Sequence, residues 1–155
     1  MKWPNPYRWM VAAALAMFIV ALPPSVDAAP APALTQHCVL RVTGTLDSGE
    51  LTTDPLECFA TGPLAAAATA SSNVIARHYT GFNFTGSELD IVGSSCSGGW
   101  LNMPAGWVNV IASTLSICTV DHYDYFYLLG DSARLYWPGG NLYWFYQRTN
   151  SAQYL

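Results

Sequence analysis

The sequence predicts an all-β protein in which two related units form a sandwich, preceded by a short N-terminal strand and helix. Two observations support this fold class. From Val74 onward, short runs rich in Tyr, Phe, Ile and Val alternate with Gly, Ser and Asn about every eight to twelve residues, which is typical of sandwiches. In addition, the stretch HYTGFNFTG, which begins at His78, returns as HYDYFYLLG at His122.

The N-terminus has the layout of a secretory leader. Lys2 and Arg8 precede an apolar run over 9–22, and small residues suit cleavage after Ala28. The run is shorter than the ~20 residues that a membrane helix needs. We therefore predict that residues 1–28 are a signal peptide, that the protein is secreted, and that it has no membrane contact after cleavage. The alternative is an uncleaved anchor.

The charge of the remaining chain argues against nucleic acid as a partner. Cleavage would leave four arginines against nine carboxylates and no lysine, a net charge of −5. Nucleic acids and anionic membranes are bound through clusters of Lys and Arg. We therefore expect neither partner, and we expect a monomer.

Four cysteines in an exported chain predict two disulfides, for which three pairings are possible. These are Cys38, Cys58, Cys96 and Cys118. We favour the sequential pairing because it gives one bridge to each of the two sequence regions. Each bridge would close a loop of about twenty residues, worth roughly 3 kcal/mol in the chain-entropy model. A zinc site is disfavoured because no pair has the close Cys-x-x-Cys spacing.

The region before the repeats is predicted to be a linker and a bridged extension. Residues 29–37 form a Pro/Ala linker, and residues 38–72 form the extension. Cys38–Gly44 alternates and is β-branched, which predicts a strand, and a turn-rich stretch follows. The alanine-rich stretch Glu57–Ala70 predicts a short helix. The sequence leaves open whether this extension packs on the following domain or is removed as a pro-segment.

The repeat defines a domain over 74–155, with units at about 74–117 and 118–155. GGWLN at Gly98 is echoed by GGNLY at Gly139, and later segments of the two units also align. Two units are too few for a solenoid, which needs at least ~3. They fit a pair of Greek keys closed face to face.

The repeated residues resemble the βγ-crystallin Greek-key motif. Each copy has an aromatic residue, a large apolar residue, a glycine and a closing serine. These are Tyr79, Phe84, Gly86 and Ser113 in the first copy, and Tyr123, Leu128, Gly130 and Ser151 in the second. The resemblance extends from Val74 to Leu155, and it is strongest to the small secreted microbial βγ-crystallin proteins of the metalloproteinase (peptidase) inhibitor family.

The resemblance implies a structural role for these residues. In that fold the first two strands of each unit bend into a folded hairpin, for which Gly86 and Gly130 would supply a positive φ. Tyr79 and Tyr123 would pack across the bend. The two closing serines would hydrogen-bond the bent backbone.

Calcium is the cofactor that the resemblance raises, since many members of the fold bind it. Calcium needs several oxygen ligands. Asn109 and Ser113 of the first copy provide two, but Val108 and Ala112 between and beside them provide none. In the second copy Arg148 adds a positive charge to the corresponding segment. We therefore expect weak or no calcium binding and no other cofactor.

Peptidase inhibition is the function that the resemblance implies, with an extracellular protease as the partner. The segment around Cys96 is a candidate inhibitory loop, with Trp100, Leu101 and Met103 as anchors. A rigid, disulfide-held loop would suit an inhibitor. The alternative is an ordinary glycine-rich connection in which Trp100 belongs to the core.

Binding to a cell-surface glycan, or a structural role, is the alternative function. The second unit is dense in aromatic residues, and a sandwich strand buries only alternate side chains, so some of them must face solvent. They are Tyr123, Tyr125, Phe126, Tyr127, Tyr136, Trp137, Tyr143, Trp144, Phe145 and Tyr146. Trp137, which stands beside Pro-Gly-Gly, is the predicted binding residue.

Catalysis is the least supported function, and we expect no enzyme. His78 and His122 hold equivalent repeat positions and could converge. However, Asp121 would point to the opposite face of the strand from His122. The sequence has no Gly-x-Ser-x-Gly or His-Glu-x-x-His motif. Both histidines are predicted to lie on the outer face of a first strand.

Overall fold

The computed structural model describes residues 35–60 and 73–155. The predicted signal peptide, most of the predicted linker and most of the predicted helix lie outside these residues. In the segments that the structure describes, no helix is long and apolar enough to span a bilayer.

The described residues form eleven strands and two short 3-10 turns, the latter at Phe126–Leu128 and Tyr143–Phe145. The strands are β1 Gln36–Thr45, β2 Leu51–Thr53, β3 Glu57–Ala60, β4 Val74–Gly81, β5 Thr85–Val92, β6 Trp100–Asn102, β7 Ser113–Ser116, β8 Val120–Tyr123, β9 Ser132–Leu135, β10 Gly139–Asn141 and β11 Ser151–Tyr154. The all-β prediction is confirmed for the part of the chain that is described.

Within those residues the strands assemble into two sheets. The order of the first sheet is β10-β7-β4-β5-β1-β2, and β3 also pairs with β1. The order of the second sheet is β6-β11-β8-β9. β1 runs parallel to β5, and the other pairs are antiparallel.

The two repeat units exchange one strand each. β4, β5 and β7 of the first unit lie in the first sheet, but β6 of that unit pairs with β11 in the second sheet. Conversely, β10 of the second unit pairs with β7 in the first sheet. Each sheet therefore contains a strand from the other repeat unit.

The N-terminal extension is part of the first sheet. β1 begins at Gln36, so the predicted linker over 29–37 is wrong for its last two residues. β1 places His37–Arg41 opposite Glu88–Val92 of β5. Strand pairing of this length makes the extension an integral part of the folded domain.

The predicted helix is wrong at its start, because Glu57–Ala60 form β3. β3 pairs with the first residues of β1, and Cys58 lies directly opposite Cys38. Pairing along a neighbouring strand has overridden the helical propensity of the alanine-rich stretch, which is only a weak prior.

The predicted disulfide pairing is confirmed. Cys38 is bonded to Cys58, and Cys96 is bonded to Cys118. The first bridge links β1 to β3. The second links the connection after β5 to the turn before β8. The first bridge therefore lies within the N-terminal extension, and the second lies within the repeat domain.

One hydrophobic core lies between the inner faces of the two sheets. Leu89 and Ile91 of β5 contribute from the first sheet, and Val120 and Tyr154 contribute from the second. Ile111 and further residues of the connecting segments complete it. Since both sheets bury their alternate residues in the same cluster, neither has a separate core.

Candidate functional site

Two hairpin tips project from the sheets with the same backbone conformation. We call Gly81–Thr85, between β4 and β5, the first tip, and Tyr125–Leu129, between β8 and β9, the second tip. Asn83 and Phe84 have φ of 54° and 61°, and the equivalent Tyr127 and Leu128 have φ of 62° and 59°. Such left-handed residues are uncommon outside glycine, so the match indicates a shared turn.

A glycine follows each tip because no side chain would fit. Gly86 and Gly130 have φ of 85° and 81°. A Cβ atom at Gly86 would collide with Thr80, and one at Gly130 would collide with Asp124. These glycines permit the sharp fold that brings each tip back over its own hairpin.

The closing serine of each unit holds the tip of that unit. The Ser113 hydroxyl accepts a hydrogen bond from the Phe84 amide at 3.0 Å and donates one to the Gly81 carbonyl at 2.7 Å. The Ser151 hydroxyl accepts from the Leu128 amide at 3.1 Å and donates to the Tyr125 carbonyl at 2.7 Å. Both serines are fully buried, so these bonds are shielded from water.

An asparagine from the exchanged strand supports the opposite tip. Asn141 of β10 accepts a hydrogen bond from the Asn83 amide of the first tip at 2.7 Å. Asn102 of β6 accepts one from the Tyr127 amide of the second tip at 2.9 Å. Strand exchange therefore fixes each tip with a side chain from the other unit.

Three aromatic rings form a surface beside the first tip, which we call the first aromatic patch: Phe82, Tyr143 and Tyr146. The Phe82 ring stacks on Tyr143 with centroids 5.9 Å apart and an interplanar angle of 20°. It also contacts Tyr146 at 4.8 Å. Tyr143 is 73% exposed, although its ring is held by its neighbours. The patch is thus an ordered apolar surface that faces solvent.

Amide groups border the first aromatic patch. The Asn141 side-chain nitrogen donates to Asn83 Oδ1 at 2.9 Å and to the Tyr143 hydroxyl at 3.0 Å. These bonds leave Asn83 Nδ2 and the Tyr143 hydroxyl hydrogen as donors directed at a ligand or at water. The rings and amides of the patch carry no charge, and Arg134, which lines the adjoining pocket with Asn141 and Tyr143, is already paired with Asp121.

A second set of rings surrounds the second tip, which we call the second aromatic patch: Trp100, Phe126 and Tyr127. Trp100 meets Tyr127 edge to face at 6.0 Å, and Phe126 meets Tyr127 at 6.5 Å. Tyr127 is 64% exposed. The Trp100 ring is held by a hydrogen bond from its nitrogen to the Ser48 carbonyl at 3.3 Å.

Trp137, the predicted binding residue, is exposed over 69% of its surface. It borders a groove of about 330 Å³, which is lined mainly by apolar side chains that include Leu115 and Ile117. Arg77 also lines the groove, with its guanidinium engaged by Asp90. Trp137 is therefore available for contact, at a location separate from both aromatic patches.

Trp100, Leu101 and Met103 do not form an exposed inhibitory loop, and this prediction is wrong. Trp100–Asn102 are strand β6, which pairs with β11. Leu101 and Met103 are each only 3% exposed and belong to the core. A protease could not contact their side chains in the folded protein. The strand exchange, which the sequence did not reveal, places them there.

His78 and His122 lie in the core, so their predicted outer-face position is wrong. Both are fully buried, and their rings meet edge to face at 5.3 Å. His78 faces inward because it is paired with Leu89 on the core side of β5. Period-two alternation fixes which residues share a face, but not which face is inside.

Thr114 joins the two imidazoles. Its hydroxyl is 2.9 Å from His78 Nδ1 and 3.1 Å from His122 Nε2. The outer nitrogens contact the Tyr154 hydroxyl at 3.0 Å and the Thr149 hydroxyl at 3.3 Å. Burial lowers the pKa of His122 to about 3, and burial together with the nearby His122 lowers the pKa of His78 well below its usual value. The pair is therefore neutral at physiological pH.

Asn109 and Ser113, the predicted calcium ligands, already have protein partners. Asn109 Oδ1 accepts from the Asn150 side chain at 3.1 Å, and Ser113 holds the first tip. Nearby, Arg148 Nη2 lies 2.5 Å from Asp124 Oδ2 and 3.1 Å from Asp131 Oδ2. The Arg148 guanidinium therefore already places a positive charge beside these two carboxylates and offsets one of their two negative charges.

Sequence reasoning missed one charged cluster, on the outer face of the first sheet. His37 Nδ1 lies 2.7 Å from Glu88, and His37 Nε2 lies 3.0 Å from Asp90. Arg77 grips Asp90 with two bonds of 2.5 and 2.8 Å. These residue types could ligate a metal, but the Arg77 guanidinium already pairs with Asp90 in the same cluster. The parallel pairing of β1 with β5 brings them together, and no local motif marks it.

Sequence reasoning also missed Phe82 and Asn83 as surface residues beside the first tip. Their signal was the repeat itself, because the alignment places Phe82 opposite the predicted aromatic Phe126 and Asn83 opposite Tyr127.

No protein family, curated protein or solved structure matches this chain.

Proposed function

We propose that this protein is a secreted, non-catalytic binding module that holds an uncharged polysaccharide against exposed aromatic side chains. The observation that carries the proposal is the first aromatic patch, in which ordered rings at Phe82, Tyr143 and Tyr146 face solvent. Exposed apolar patches of this kind mark binding surfaces rather than contribute to folding.

The chemistry of the patch suits a sugar ring. The face of an aromatic ring is electron-rich and attracts polarised C–H groups, such as the axial hydrogens on the flat face of a β-linked pyranose. The hydroxyls at the edge of the same ring would meet Asn83 Nδ2 and the Tyr143 hydroxyl. Since the Asn141 side chain fixes both groups, the donors are held in place before the ligand arrives.

The charges of the chain favour a neutral ligand. The patch has no cation to pair with a phosphate or a carboxylate. Elsewhere, Arg77, Arg134 and Arg148 are each bonded to an aspartate. Together with a net charge of −4 for the whole sequence, this disfavours nucleic acid, which is bound through unpaired Lys and Arg. Two disulfides suggest an oxidising compartment, which supports a secreted location.

We also infer that residues 74–155 form a βγ-crystallin-type domain of two Greek keys. Several features support this inference. Each unit has a hairpin bent at Gly86 or Gly130, and each tip is held by the closing serine of its unit. Each unit also places its third strand in the other unit's sheet. The family function, peptidase inhibition, has no support from the segment around Trp100, so glycan binding is the function we favour.

The test is retention on insoluble polysaccharides. Purified oxidised protein would be mixed with cellulose, chitin and β-1,3-glucan, and the protein left in the supernatant would be measured. We expect saturable retention on at least one polymer, weakened about tenfold by Phe82→Ser with Tyr143→Ser, since each aromatic contact contributes about 0.5–1.5 kcal/mol. The matched control is Tyr136→Ser, which removes an equally exposed ring outside both patches.

Trp137→Ala tests whether the groove beside it contributes to the same binding. No retention on any polymer, or equal loss in the patch variant and the Tyr136→Ser control, would contradict the proposal. A parallel titration against a thermolysin-like metalloprotease and a subtilisin-like serine protease separates the alternative. Saturable inhibition by uncut protein, without polysaccharide retention, would assign a peptidase inhibitor instead.

A further inference from the structure

We infer that the chain has a second glycan-binding site at the second aromatic patch, so that one molecule binds two segments of polysaccharide. The inference rests on the proposed function. It adds a site and a consequence, namely that the protein can join neighbouring glycan chains.

The two tips are built as equivalent supports. The pairs Asn83–Phe84 and Tyr127–Leu128 share left-handed backbone angles within about 10° of one another. The serine bonds to the two tips agree within 0.1 Å, and each tip receives a bond from an asparagine of the exchanged strand. A surface that is rigid at the first tip is therefore equally rigid at the second.

The aromatic rings at the second tip do not follow from this shared framework. Tyr127 occupies the position that Asn83 occupies in the first unit. When the tip-supporting Asn102 and Asn141 are matched by their roles, Trp100 corresponds to Gly139. By the same matching of Asn102 with Asn141, Tyr143 of the first patch corresponds to Pro104 of the other unit. Apart from the equivalent Phe82 and Phe126, the two tips thus reach similar aromatic surfaces with rings from different positions. Because Tyr127 and Phe126 are exposed, burial in the core does not explain them either.

The second patch also fits a neutral ligand. Its rings carry no charge, and Asn102 presents an amide at its border. The nearest carboxylates along the chain, Asp124 and Asp131, share the single guanidinium of Arg148, which offsets one of their two negative charges, so the surroundings disfavour an anionic ligand. The planes of the Trp100 and Tyr127 rings meet at 76°, so a sugar ring placed between them could contact both.

The repeat supplies a variant that removes the second patch while preserving the turn. Tyr127→Asn installs the residue that the first tip uses at the same φ, and asparagine tolerates this left-handed conformation well. The variant is expected to melt within a few degrees of the wild type. The corresponding first-patch variant is Tyr143→Ser, and the control is Tyr136→Ser.

Calorimetric titration with cellohexaose and chitohexaose would count the sites. We expect two sugars of similar affinity per wild-type chain. Tyr127→Asn and Tyr143→Ser should each keep one such site and weaken the other by about two- to thirteen-fold, since each aromatic contact contributes about 0.5–1.5 kcal/mol. Wild-type protein should also aggregate a suspension of the matching polymer, cellulose or chitin, by joining its particles. Tyr127→Asn and Tyr143→Ser, in which one site is weakened, should bind the polymer but aggregate it much less.

The outcomes separate the inference from the proposed function. One sugar per wild-type chain, with binding weakened in Tyr143→Ser and unchanged in Tyr127→Asn, would overturn the second site and leave the proposed function intact. No binding of either sugar and no retention on either polymer would overturn both. If Tyr127→Asn unfolds, Phe126→Ser provides the same count, because its ring lies on the second tip and outside the core.

Discussion

At the scale of single residues, Thr114 is the side chain that lets two imidazoles share a core. A hydroxyl has one hydrogen, so Thr114 can donate to one imidazole and accept from the other. Tyr154 and Thr149 complete the chain at its ends. Each neutral ring then has one donor and one acceptor in use. Among the described residues no buried side-chain nitrogen or oxygen lacks a partner, which is the condition for tolerating such a network.

The buried pair predicts that the protein loses stability in mild acid. Histidines titrate near 6.5 in the unfolded chain, whereas burial lowers the pKa of His122 to about 3 in the folded one. The unfolded chain therefore binds protons first as the pH falls. The contribution of the neutral, buried His122 to the free energy of unfolding is complete above about pH 6.5. It decreases between pH 6.5 and 3, and it is lost below about pH 3. For His122 alone the loss is on the order of 5 kcal/mol.

Urea unfolding of the wild type and of His122→Gln, from pH 8 to pH 4, would measure this effect. Glutamine keeps a donor and an acceptor but does not titrate. The variant should be less stable than the wild type at pH 8, and its free energy of unfolding should fall less steeply below pH 6.5. Parallel curves for the two proteins would show that His122 does not contribute to the pH dependence.

The residues that bend the backbone were predictable from the sequence, and the buried polar residues were not. Gly86, Gly130 and the two closing serines recur at matching places in the repeat because each hairpin needs a positive φ and a backbone bond. His78 and His122 recur equally well. However, a polar residue in a strand gives no local sign that Thr114, from another strand, will satisfy it in the core.

At the scale of elements, an arginine–aspartate ion pair joins the first two strands of each unit. The arginine is on the first of these strands in one unit and on the second in the other. In the first unit Arg77 of β4 grips Asp90 of β5. In the second unit Asp121 of β8 is gripped by Arg134 of β9 through bonds of 2.6 and 2.5 Å. Both pairs are thirteen residues apart in the chain. The hydrogen bonds to the carboxylates raise the pKa of both arginines, so both stay charged.

The two pairs should differ in their contribution to stability, because their burial differs. The Arg77 and Asp90 side chains are 29% and 0% exposed, whereas those of Arg134 and Asp121 are 49% and 7% exposed, so solvent screens the second pair more. Arg77→Met would leave a buried carboxylate with only His37, so we expect a loss of about 2–3 kcal/mol. Arg134→Met, the matched variant in the other unit, should lose distinctly less. Urea denaturation at pH 7 measures both, and equal losses would contradict the argument.

The elements were partly predictable. The repeat and the turn residues predicted the hairpins, and alternation predicted β1, although its ends lie beyond Cys38–Gly44. The exchange of β6 and β10 was not predicted, because three-residue strands have almost no periodicity. That exchange is also what buried Leu101 and Met103 and created the amide support under each tip. The error about the inhibitory loop therefore comes from this exchange.

At the scale of the whole molecule, the described chain is interlocked in two ways. The repeat units exchange strands, and the N-terminal β1 occupies a place between β5 and the short strands β2 and β3. Cys38 and Leu40 of β1 belong to the same core as Leu89 and Ile91. The extension and both repeat units bury their apolar side chains in this one shared core. The sequence left open whether the extension is a pro-segment, and the strand pairing argues that the domain depends on it.

Two truncated chains would test that dependence. One would begin at Thr35 and the other at Asn73, so that both lack the same leader and linker and differ only in β1, β2, β3 and the segment that follows. Loss of β1 uncovers the edge of β5 and removes Cys38, Val39 and Leu40 from buried positions, each worth about 1.5–3 kcal/mol. At 4–8 °C per kcal/mol for a domain of this size, the shorter chain should melt at least ~20 °C lower or fail to fold.

Thermal melts followed by near-ultraviolet circular dichroism would report the packing of the aromatic core directly. Equal melting temperatures would mean that residues 35–72 are dispensable, as expected of a pro-segment, and that residues 74–155 are the complete folding unit.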